Sequence, residues 1–294
     1  MSKRIKVSVI IPNLNSPIVD KTIESILEQD TEIKYEIIIV GNDRYELVKN
    51  YSQVIFHQTN TPVNAAKARN IGIKQGKGEW FLFIDSDCIA QKGWISAFAN
   101  DFKDGWKVIG GGIQSPEFPF LVLVYNLSMF HEYLTTRKRR QTEFLPTLNL
   151  AVHREVIEKV GLFDESLIRG QDMDWTCRMK IKNYSLLFNP LAKVEHLPEQ
   201  NDLEKMRALN QKTGFFAIKI RQKYPEIFRL PWILRTPYTW KILSPLIAVG
   251  TTITIILRTR EVRQHWKTIP FIYLNKLSWC QGASKSLEVR KKNE

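Results

Sequence analysis

Two acidic residues, Asp85 and Asp87, flank Ser86 directly after the apolar run Trp80–Ile84. Carboxylate oxygens are hard ligands that suit Mg²⁺ or Mn²⁺, and magnesium sites commonly combine one or two carboxylates with phosphate oxygens. A cation bound there would screen the charge of a departing diphosphate. An acidic triplet is a weak signal by itself, because a strand-terminating turn with Asp as a helix cap gives the same pattern.

The segments that must position these carboxylates alternate between short apolar runs and stretches with helical spacing. The apolar runs predict strands at Val7–Ile11, Glu36–Val40, Val54–Phe56, Trp80–Ile84 and Val108–Ile113. Helical spacing from Ile18 to Leu27 and over Ala65–Gln75 predicts helices between strands, and helical spacing also predicts helix from Asn149 to Arg178. Strands joined through helices become parallel neighbours with right-handed crossovers. The sequence therefore predicts an α/β fold with a mostly parallel central sheet.

Polar side chains follow three of the predicted strands. Because open parallel sheets bind ligands beyond the carboxyl ends of their strands, we expect these side chains to converge on one site. They are Asn13, Asn15, Asn42, Asp43, Asp85, Ser86 and Asp87.

Five segments taken together resemble the family 2 glycosyltransferases of the GT-A fold. They are VSVIIPNLN from Val7, EIIIVGND from Glu36, AAKARNIGIKQGKGEWFLFIDSDC from Ala65, NLAVHREVIEKVGLFDE from Asn149 and GQDMDWTCR from Gly170. Each segment is modest alone, but the set follows the family's order and spacing. The resemblance implies a Rossmann-like GT-A sandwich, an inverting reaction, and transfer of a sugar from a nucleotide-sugar donor, expected to be UDP-linked, to an acceptor hydroxyl in cell-surface glycan synthesis.

The resemblance also implies an organisation in three parts. Residues 1–113 would bind the nucleotide sugar, residues 114–200 would bind the acceptor and supply the catalytic base, and residues 201–294 would form a helical basic extension. Within residues 114–146, an apolar patch precedes the basic run Arg137–Arg140. A core helix followed by a basic turn and an acceptor or lipid contact are both open interpretations of that stretch.

Individual positions take roles from the resemblance. Asp87 resembles the metal ligand, with Asp85 in support and Mg²⁺ or Mn²⁺ as the cation. Asp43 resembles the residue that contacts the donor base, and Arg69 the basic residue near the phosphates. The full set of predicted donor contacts is Pro12, Asn13, Leu14, Asp43, Arg69, Asp85 and Ser86.

The chain departs from the family pattern at two places. Gly41 and Asn42 precede Asp43 where two adjacent acids are usual, which leaves the base selectivity open. Gln171 stands before Asp172 where a glutamate is common.

Asp172 resembles the catalytic base of the family. A positioned carboxylate can accept the proton of an attacking hydroxyl, and a single base with a metal-stabilised leaving group implies direct displacement with inversion. The alternative is a helix-capping Asp172 beside an ion pair between Asp174 and Arg178. The predicted acceptor contacts are Gln171, Asp174 and Trp175, although core packing explains the tryptophan nearly as well.

His196 is a candidate third metal ligand, because some relatives of this fold supply a histidine after the last core strand; a structural histidine is the alternative. The three cysteines are too few and too scattered for a disulfide framework. The run Val7–Pro12 is too short for the core of a signal peptide. These features predict a cytoplasmic protein.

Charge is concentrated at the carboxyl end. Residues 200–294 contain 18 Lys and Arg against 6 Asp and Glu, whereas residues 1–199 contain 25 against 24. A basic segment suits an anionic membrane, and a solvated basic surface is the alternative. Nucleic acid is not expected, since the segment lacks a base-stacking motif.

Ile242–Leu257 has 16 uncharged residues, short of the ~20 that span a bilayer, and Pro245 and Gly250 are expected to interrupt it. A buried or re-entrant helix on the inner membrane face is therefore predicted rather than a span. Aromatic residues suited to the headgroup layer accompany it. They are Trp232, Tyr238, Trp240 and Trp266.

Two other functions compete with sugar transfer. A nucleotidyltransferase would need a glycine-rich phosphate loop with a basic residue after the first strand, and PNLNSP from Pro12 offers neither. A non-catalytic membrane-associated module would not need Asp85, Asp87 and Asp172 together. The acceptor is expected to be a glycan or a lipid-linked sugar, while its identity and the donor sugar are not readable from the sequence.

Overall fold

The computed structural model describes residues 6–229 and 231–293, without the side chains of Trp232 and residues 290–293. The first five residues of the predicted nucleotide-binding segment and the predicted interfacial Trp232 side chain thus lie outside the described part. The chain forms two compact units, the first from residues up to Gln114 with Tyr133–Pro198, the second from Ser115–Glu132 with Glu199 onward. Residues 114–200 are therefore divided between the two units.

A central sheet organises the first unit. Its strand order is β3-β2-β1-β4-β8-β6-β9-β5, and β7 pairs with β9. The strands in the described residues are β1 (Val7–Leu14), β2 (Tyr35–Asn42), β3 (Val54–Gln58), β4 (Trp80–Ile84), β5 (Cys88–Ala90), β6 (Val108–Gln114), β7 (Arg140–Thr142), β8 (Asn149–His153) and β9 (Leu186–His196). The five predicted strands are all present, and the α/β class is confirmed.

The prediction of parallel pairing holds for β1 to β4, whose pairs are all parallel. Beyond β4 the sheet becomes mixed: β8 runs antiparallel to β4 and β6, while β6 and β9 are parallel. The helical spacing predicted from Asn149 onward was wrong at its start, because Asn149–His153 is β8. This segment is almost wholly buried between two strands, where apolar residues need no alternation.

Helices of both units are defined within the described residues. They are α1 (Val19–Leu27), α2 (Ala65–Gln75), α3 (Trp94–Lys103), α4 (Phe120–Phe130), α5 (Arg154–Val160), α6 (Gln171–Ile181), α7 (Leu203–Lys223), α8 (Pro237–Arg258), α9 (Arg260–Gln264) and α10 (Ile269–Asn293). Helix α2 has the predicted bounds because local signals define both of its ends. The Asn64 side chain accepts a hydrogen bond from the Lys67 N–H at its start, and Gly76 follows its last residue.

The second unit is helical. For residues 114–146 a core helix and an acceptor or lipid contact were both open interpretations. Helix α4 agrees with the core helix, since seven consecutive residues from Val122 to Ser128 are buried. Helices α7 and α8 both pack on α10. The predicted interruption of α8 was wrong, because the helix continues through Pro245 and Gly250 for 22 residues. By length and composition alone, α8 meets the criterion for a membrane-crossing helix.

Candidate active site

Three strand ends meet at one edge of the sheet. The last residues of β1 pair with those of β2, so that Asn13 is opposite Gly41. The backbone carbonyl of Ser86, beyond the end of β4, accepts hydrogen bonds from Ser16 Oγ at 2.8 Å and Thr22 Oγ1 at 3.1 Å. These bonds fix the acidic triplet to the start of α1. The predicted convergence of polar strand ends is present.

At the end of β2, the backbone of Gly41 lies very close to the backbone of Asn13 in β1. Gly41 has a φ of 136°, and a Cβ added there would lie 1.9 Å from the backbone oxygen of Asn13. Only glycine therefore allows β1 and β2 to meet at this edge. The buried Asn13 amide donates to the Asn42 carbonyl at 3.0 Å, which holds the two strand ends together.

Asp43 presents one satisfied and one unsatisfied oxygen. Its Oδ2 accepts the Val48 N–H at 2.7 Å, which fixes the side chain. Its Oδ1 is buried and has no hydrogen-bond partner within the described residues. Buried carboxylate oxygens are normally hydrogen-bonded, so Oδ1 is available to an N–H donor of a ligand. Nearby, Leu14 is exposed and Pro12 half-buried.

Arg69 forms an ion pair with Asp85, the first residue of the acidic triplet. Arg69 Nη2 lies 2.6 Å from Asp85 Oδ1, and Arg69 is only 4% exposed. The guanidinium also lies 5.8 Å from the centre of the Phe163 ring, and its buried Nε has no partner in the described part of the chain. Asp85 is thus paired with the buried guanidinium of Arg69, which makes the Asp87 carboxylate the better candidate for binding a metal ion.

Asp87 and His196 are brought together by the short strand β5. Cys88 in β5 pairs with His196 at the end of β9, and the Leu197 N–H donates to the Asp87 carbonyl at 2.8 Å. The result places Asp87 Oδ1 3.7 Å from His196 Nε2. His196 is therefore beside the acidic triplet, although 109 positions separate it from Asp87 in the sequence.

This pair fits one divalent cation. Donor atoms of Asp87, Cys88 and His196 all lie within 4.8 Å of one another. Two ligands each about 2.1 Å from one ion lie at most about 4.2 Å apart, so the carboxylate and the imidazole are close enough to share it. Burial raises the pKa of Asp87, the neighbouring His196 opposes this rise and Asp85 adds to it. A cation at Asp87 would relieve the repulsion between the two carboxylates.

Cys88 is less suited to that role. Burial raises the pKa of its thiol well above the usual value, and the charges of Asp87 and Asp85 raise it further. The soft thiolate that binds metals is therefore disfavoured here. The structure agrees with an inert buried thiol at Cys88.

Asp172 lies in the first turn of α6, not at its N-cap, which is Gly170. Its Oδ1 accepts the Met173 N–H at 2.8 Å. Burial raises the pKa of Asp172, while Arg69 and Arg169 lower it and Asp85 raises it. Arg69 is thus close enough to act on both Asp85 and Asp172, so the predicted base and the acidic triplet belong to one site.

The predicted acceptor contacts next to Asp172 face away from solvent. Asp174 is fully buried and accepts from Arg178 Nε at 3.0 Å, the ion pair foreseen as its alternative. Trp175 is also fully buried and donates through Nε1 to the Gly161 carbonyl at 2.9 Å. Gln171 is buried and donates to the Leu167 carbonyl at 2.8 Å. In this structure all three stabilise α6 and the loop before it, and their assignment to the acceptor surface stays a prediction.

Sequence reasoning missed Asn70. This buried residue of α2 donates through Nδ2 to the Phe163 carbonyl and to Glu165 Oε1, both at 2.9 Å, and its Oδ1 accepts the Phe163 N–H at 2.9 Å. Asn70 thereby ties the loop that leads into α6 to the helix that carries Arg69. The available signal was a polar residue at a position of α2 whose neighbours Arg69 and Ile73 also face inward.

The mixed α/β sheet, the acidic triplet at its strand ends and Asp172 on helix α6 match the GT-A class of sugar-nucleotide fold. The profile of glycosyl transferase family 2 matches residues 8–161, more than half of the 294-residue chain, and the chain belongs to that family.

Two named proteins and one solved structure are similar to the chain. The poly(ribitol-phosphate) beta-N-acetylglucosaminyltransferase TarP of Staphylococcus aureus is 38% identical over 313 positions, covering 96% of this chain and 88% of TarP. Glycosyltransferase AglE of Haloferax volcanii is 27% identical over 193 residues, covering 62% of this chain and 64% of AglE. The crystal structure of GalNAc-T7 with UDP, GalNAc and Mn²⁺ matches with a TM-score of 0.56 at 17% identity, over 79% of this chain and 52% of that one, and supports the fold. The chain thus spans under two thirds of the last two relatives.

Proposed function

We propose that the protein is an inverting, metal-dependent glycosyltransferase that moves a sugar from a UDP-linked donor to an acceptor hydroxyl in glycan synthesis. The observation that carries the proposal is the arrangement around Arg69, which pairs with Asp85 beside the Asp87–His196 pair and also acts on Asp172. A leaving-group site and a base thereby lie in one compact unit. The names of TarP and AglE and the UDP and Mn²⁺ of the GalNAc-T7 structure support this class of reaction.

The donor would bind at the ends of β1, β2 and β4. Asp43 Oδ1, the buried oxygen without a partner, accepts an N–H of the nucleotide base. Asn13 and Gly41 keep the two strand ends in register beside it. The buried charge of Arg69 favours the donor phosphates. A uracil N–H is one donor that would satisfy Asp43, and the UDP in the GalNAc-T7 structure supports UDP as the proposed nucleotide.

Asp87 and His196 are the proposed cation ligands, and Asp85 supports them through Arg69. When bound, the cation screens the charge that develops on the leaving diphosphate. A carboxylate with an imidazole suits Mn²⁺ better than Mg²⁺, which prefers oxygen ligands alone.

Asp172 is the proposed base. It accepts the proton of the acceptor hydroxyl as the new bond forms between that oxygen and the anomeric carbon and the bond to the diphosphate breaks. A single base suffices for this displacement, which inverts the anomeric centre. Burial raises the pKa of Asp172 and so strengthens it as a proton acceptor.

The proposed acceptor is a glycan or a lipid-linked sugar at the inner face of the cell membrane. TarP carries the name of an enzyme that transfers N-acetylglucosamine to the polymer poly(ribitol-phosphate). The excess of basic residues beyond position 199 supports attraction to anionic lipid.

A thermal-shift screen with nucleotide sugars tests the proposal. UDP-sugars with Mn²⁺ are expected to raise the melting temperature by mass action, and chelator is expected to remove most of the rise. Asp87→Asn should lose the Mn²⁺-dependent part, whereas Asp104→Asn, an exposed acid after α3, should keep it. Absence of any shift with every nucleotide sugar and cation would overturn the proposed function.

A further inference from the structure

Helix α8 presents an unbroken apolar stripe to solvent. Six large apolar residues recur every three or four positions along one face, and each is between 43% and 75% exposed. They are Tyr238, Ile242, Leu246, Val249, Ile253 and Leu257. We call this set the α8 stripe. Between Lys241 and Arg258 the helix has 16 residues without a charge, so no charge interrupts the stripe from Ile242 to Leu257.

The opposite face of α8 is packed inside the second unit. Trp240 is 2% exposed and lies in a cluster with Ile218 of α7 and Cys280 and Leu287 of α10. Ser284 Oγ of α10 donates to the Pro237 carbonyl at 3.0 Å. The predicted interfacial role of Trp240 was therefore wrong, whereas Tyr238 and Trp266 are exposed as expected. Packing fixes which face of α8 points outward.

The hydroxyl groups of α8 between Lys241 and Arg258 are satisfied within the helix. Four hydroxyls donate to the carbonyl four residues earlier. They belong to Ser244, Thr251, Thr252 and Thr254. Such bonds let a hydroxyl enter an apolar medium without an unmet hydrogen bond. The exposed surface of α8 therefore suits hydrocarbon.

Basic residues flank the α8 stripe along the chain, although Lys241 is paired with Glu288 of α10. The segment 229–267 contains seven basic residues and a single acid, Glu261. The basic residues are Arg229, Arg235, Lys241, Arg258, Arg260, Arg263 and Lys267. Apolar surface between basic ends matches the anionic headgroup layer above its acyl chains. A soluble protein partner would need neither the length of this uncharged stripe nor the excess of positive charge.

We propose that α8 lies in the plane of an anionic bilayer, with the α8 stripe at the boundary between headgroups and acyl chains. This inference rests on the proposed membrane association and names the surface responsible. A helix of 22 residues is about 33 Å long, so its length alone would also permit a span. The packing of its other face decides between the two geometries.

A span would carry α7 and α10 into the hydrocarbon with α8. Gly214 of α7 and Gly282 of α10 allow these two helices to touch, since a Cβ at either would lie about 2 Å from the backbone of the other helix. Helix α7 carries charged residues along its length, among them Glu204, Lys212 and Lys219. Charged side chains are strongly disfavoured at the bilayer centre, so only the outward face of α8 can enter lipid.

Sedimentation with preformed vesicles tests the surface. The full chain should bind vesicles of phosphatidylglycerol and phosphatidylcholine, and bind phosphatidylcholine alone more weakly. Leu246→Glu and Ile253→Glu should each weaken binding by about tenfold or more. Ile181→Glu, which adds the same charge to an exposed isoleucine of α6, should leave binding unchanged. Equal binding by all variants would overturn the proposal, as would a dimer in light scattering that Leu246→Glu dissociates.

Depth measurements distinguish the in-plane helix from a span. The cysteines at 88, 177 and 280 are buried, so a fluorophore can be attached selectively to Ile242→Cys, Val249→Cys or Leu257→Cys. Spin-labelled lipids should quench all three labels from the same shallow depth. A deeper label at position 249 than at the two ends would contradict the in-plane geometry. Thermal shifts with UDP-sugar and Mn²⁺, measured on the same variants, report the proposed function separately, so that either proposal can fail alone.

Discussion

Asn70→Ala should weaken the first unit more than its size suggests. The substitution removes three hydrogen bonds, two of which satisfy the buried N–H and carbonyl of Phe163. Each buried backbone group left without a partner costs about 1–3 kcal/mol, so we expect a loss of about 3 kcal/mol in the free energy of unfolding. With a urea m-value of about 2 kcal/mol/M, the unfolding midpoint would fall by about 1.5 M.

Asn64→Ala is the matched control for this substitution. Asn64 caps the same helix and donates to the Glu165 carbonyl at 2.8 Å, but its contacts are solvent-exposed. Loss of an N-cap costs about 1 kcal/mol, which corresponds to about 0.5 M in the urea midpoint. The measurement is urea unfolding followed by circular dichroism and tryptophan fluorescence, whose coincidence checks for a single transition. A midpoint for Asn70→Ala equal to that of Asn64→Ala would contradict the stabilising role of the Asn70 hydrogen bonds between α2 and the loop before α6.

Three further predictions concern the site. Asp172→Asn should keep donor binding and lower kcat by about a hundredfold or more, the usual contribution of a general base. Because burial raises the pKa of Asp172, the wild-type kcat should begin to fall, as the pH is lowered, at a pH above the usual pKa of an aspartate. A kcat–pH profile of the variant should lack this acidic limb. Asp174→Ala should destabilise the protein by about 3 kcal/mol in urea unfolding, because it leaves the Arg178 charge without its buried partner; a loss near zero would contradict the ion pair's structural role. His196→Ala should weaken Mn²⁺ binding by about tenfold or more in titration calorimetry, and unchanged affinity would remove His196 from the cation site.

Local sequence patterns predicted many elements of the fold. Buried runs such as Trp80–Ile84 and the capped helix Ala65–Gln75 depend on nearby residues, and their predicted bounds match the structure. The position of β8 between β4 and β6 depends on pairing between segments far apart in sequence. No local period reveals such an insertion, and Asn149–His153 was therefore predicted as helical.

For the site, too, general rules predicted some features, and tertiary packing set the others. The convergence of Asn13, Asp43 and Asp87 followed from the rule that strand ends share an edge of the sheet. The burial of Asp174 and Trp175 did not follow, because which face of α6 turns inward is set by the loop at Gly161 and Phe163. Helix α8 continues through Pro245 although proline lacks a backbone donor, and its packing on α10 through Trp240 is a tertiary effect that helix propensity does not contain.

The most direct test of the account is release of UDP from UDP-sugars by the full chain with Mn²⁺, compared between wild type and Asp87→Asn. We expect release by the wild type, its loss in chelator, its return when Mn²⁺ is restored, and at most a residual rate for Asp87→Asn, with Asp104→Asn as the active control. Release that persists in chelator, or that Asp87→Asn leaves intact, would contradict the claim that Asp87 holds a cation at the leaving group.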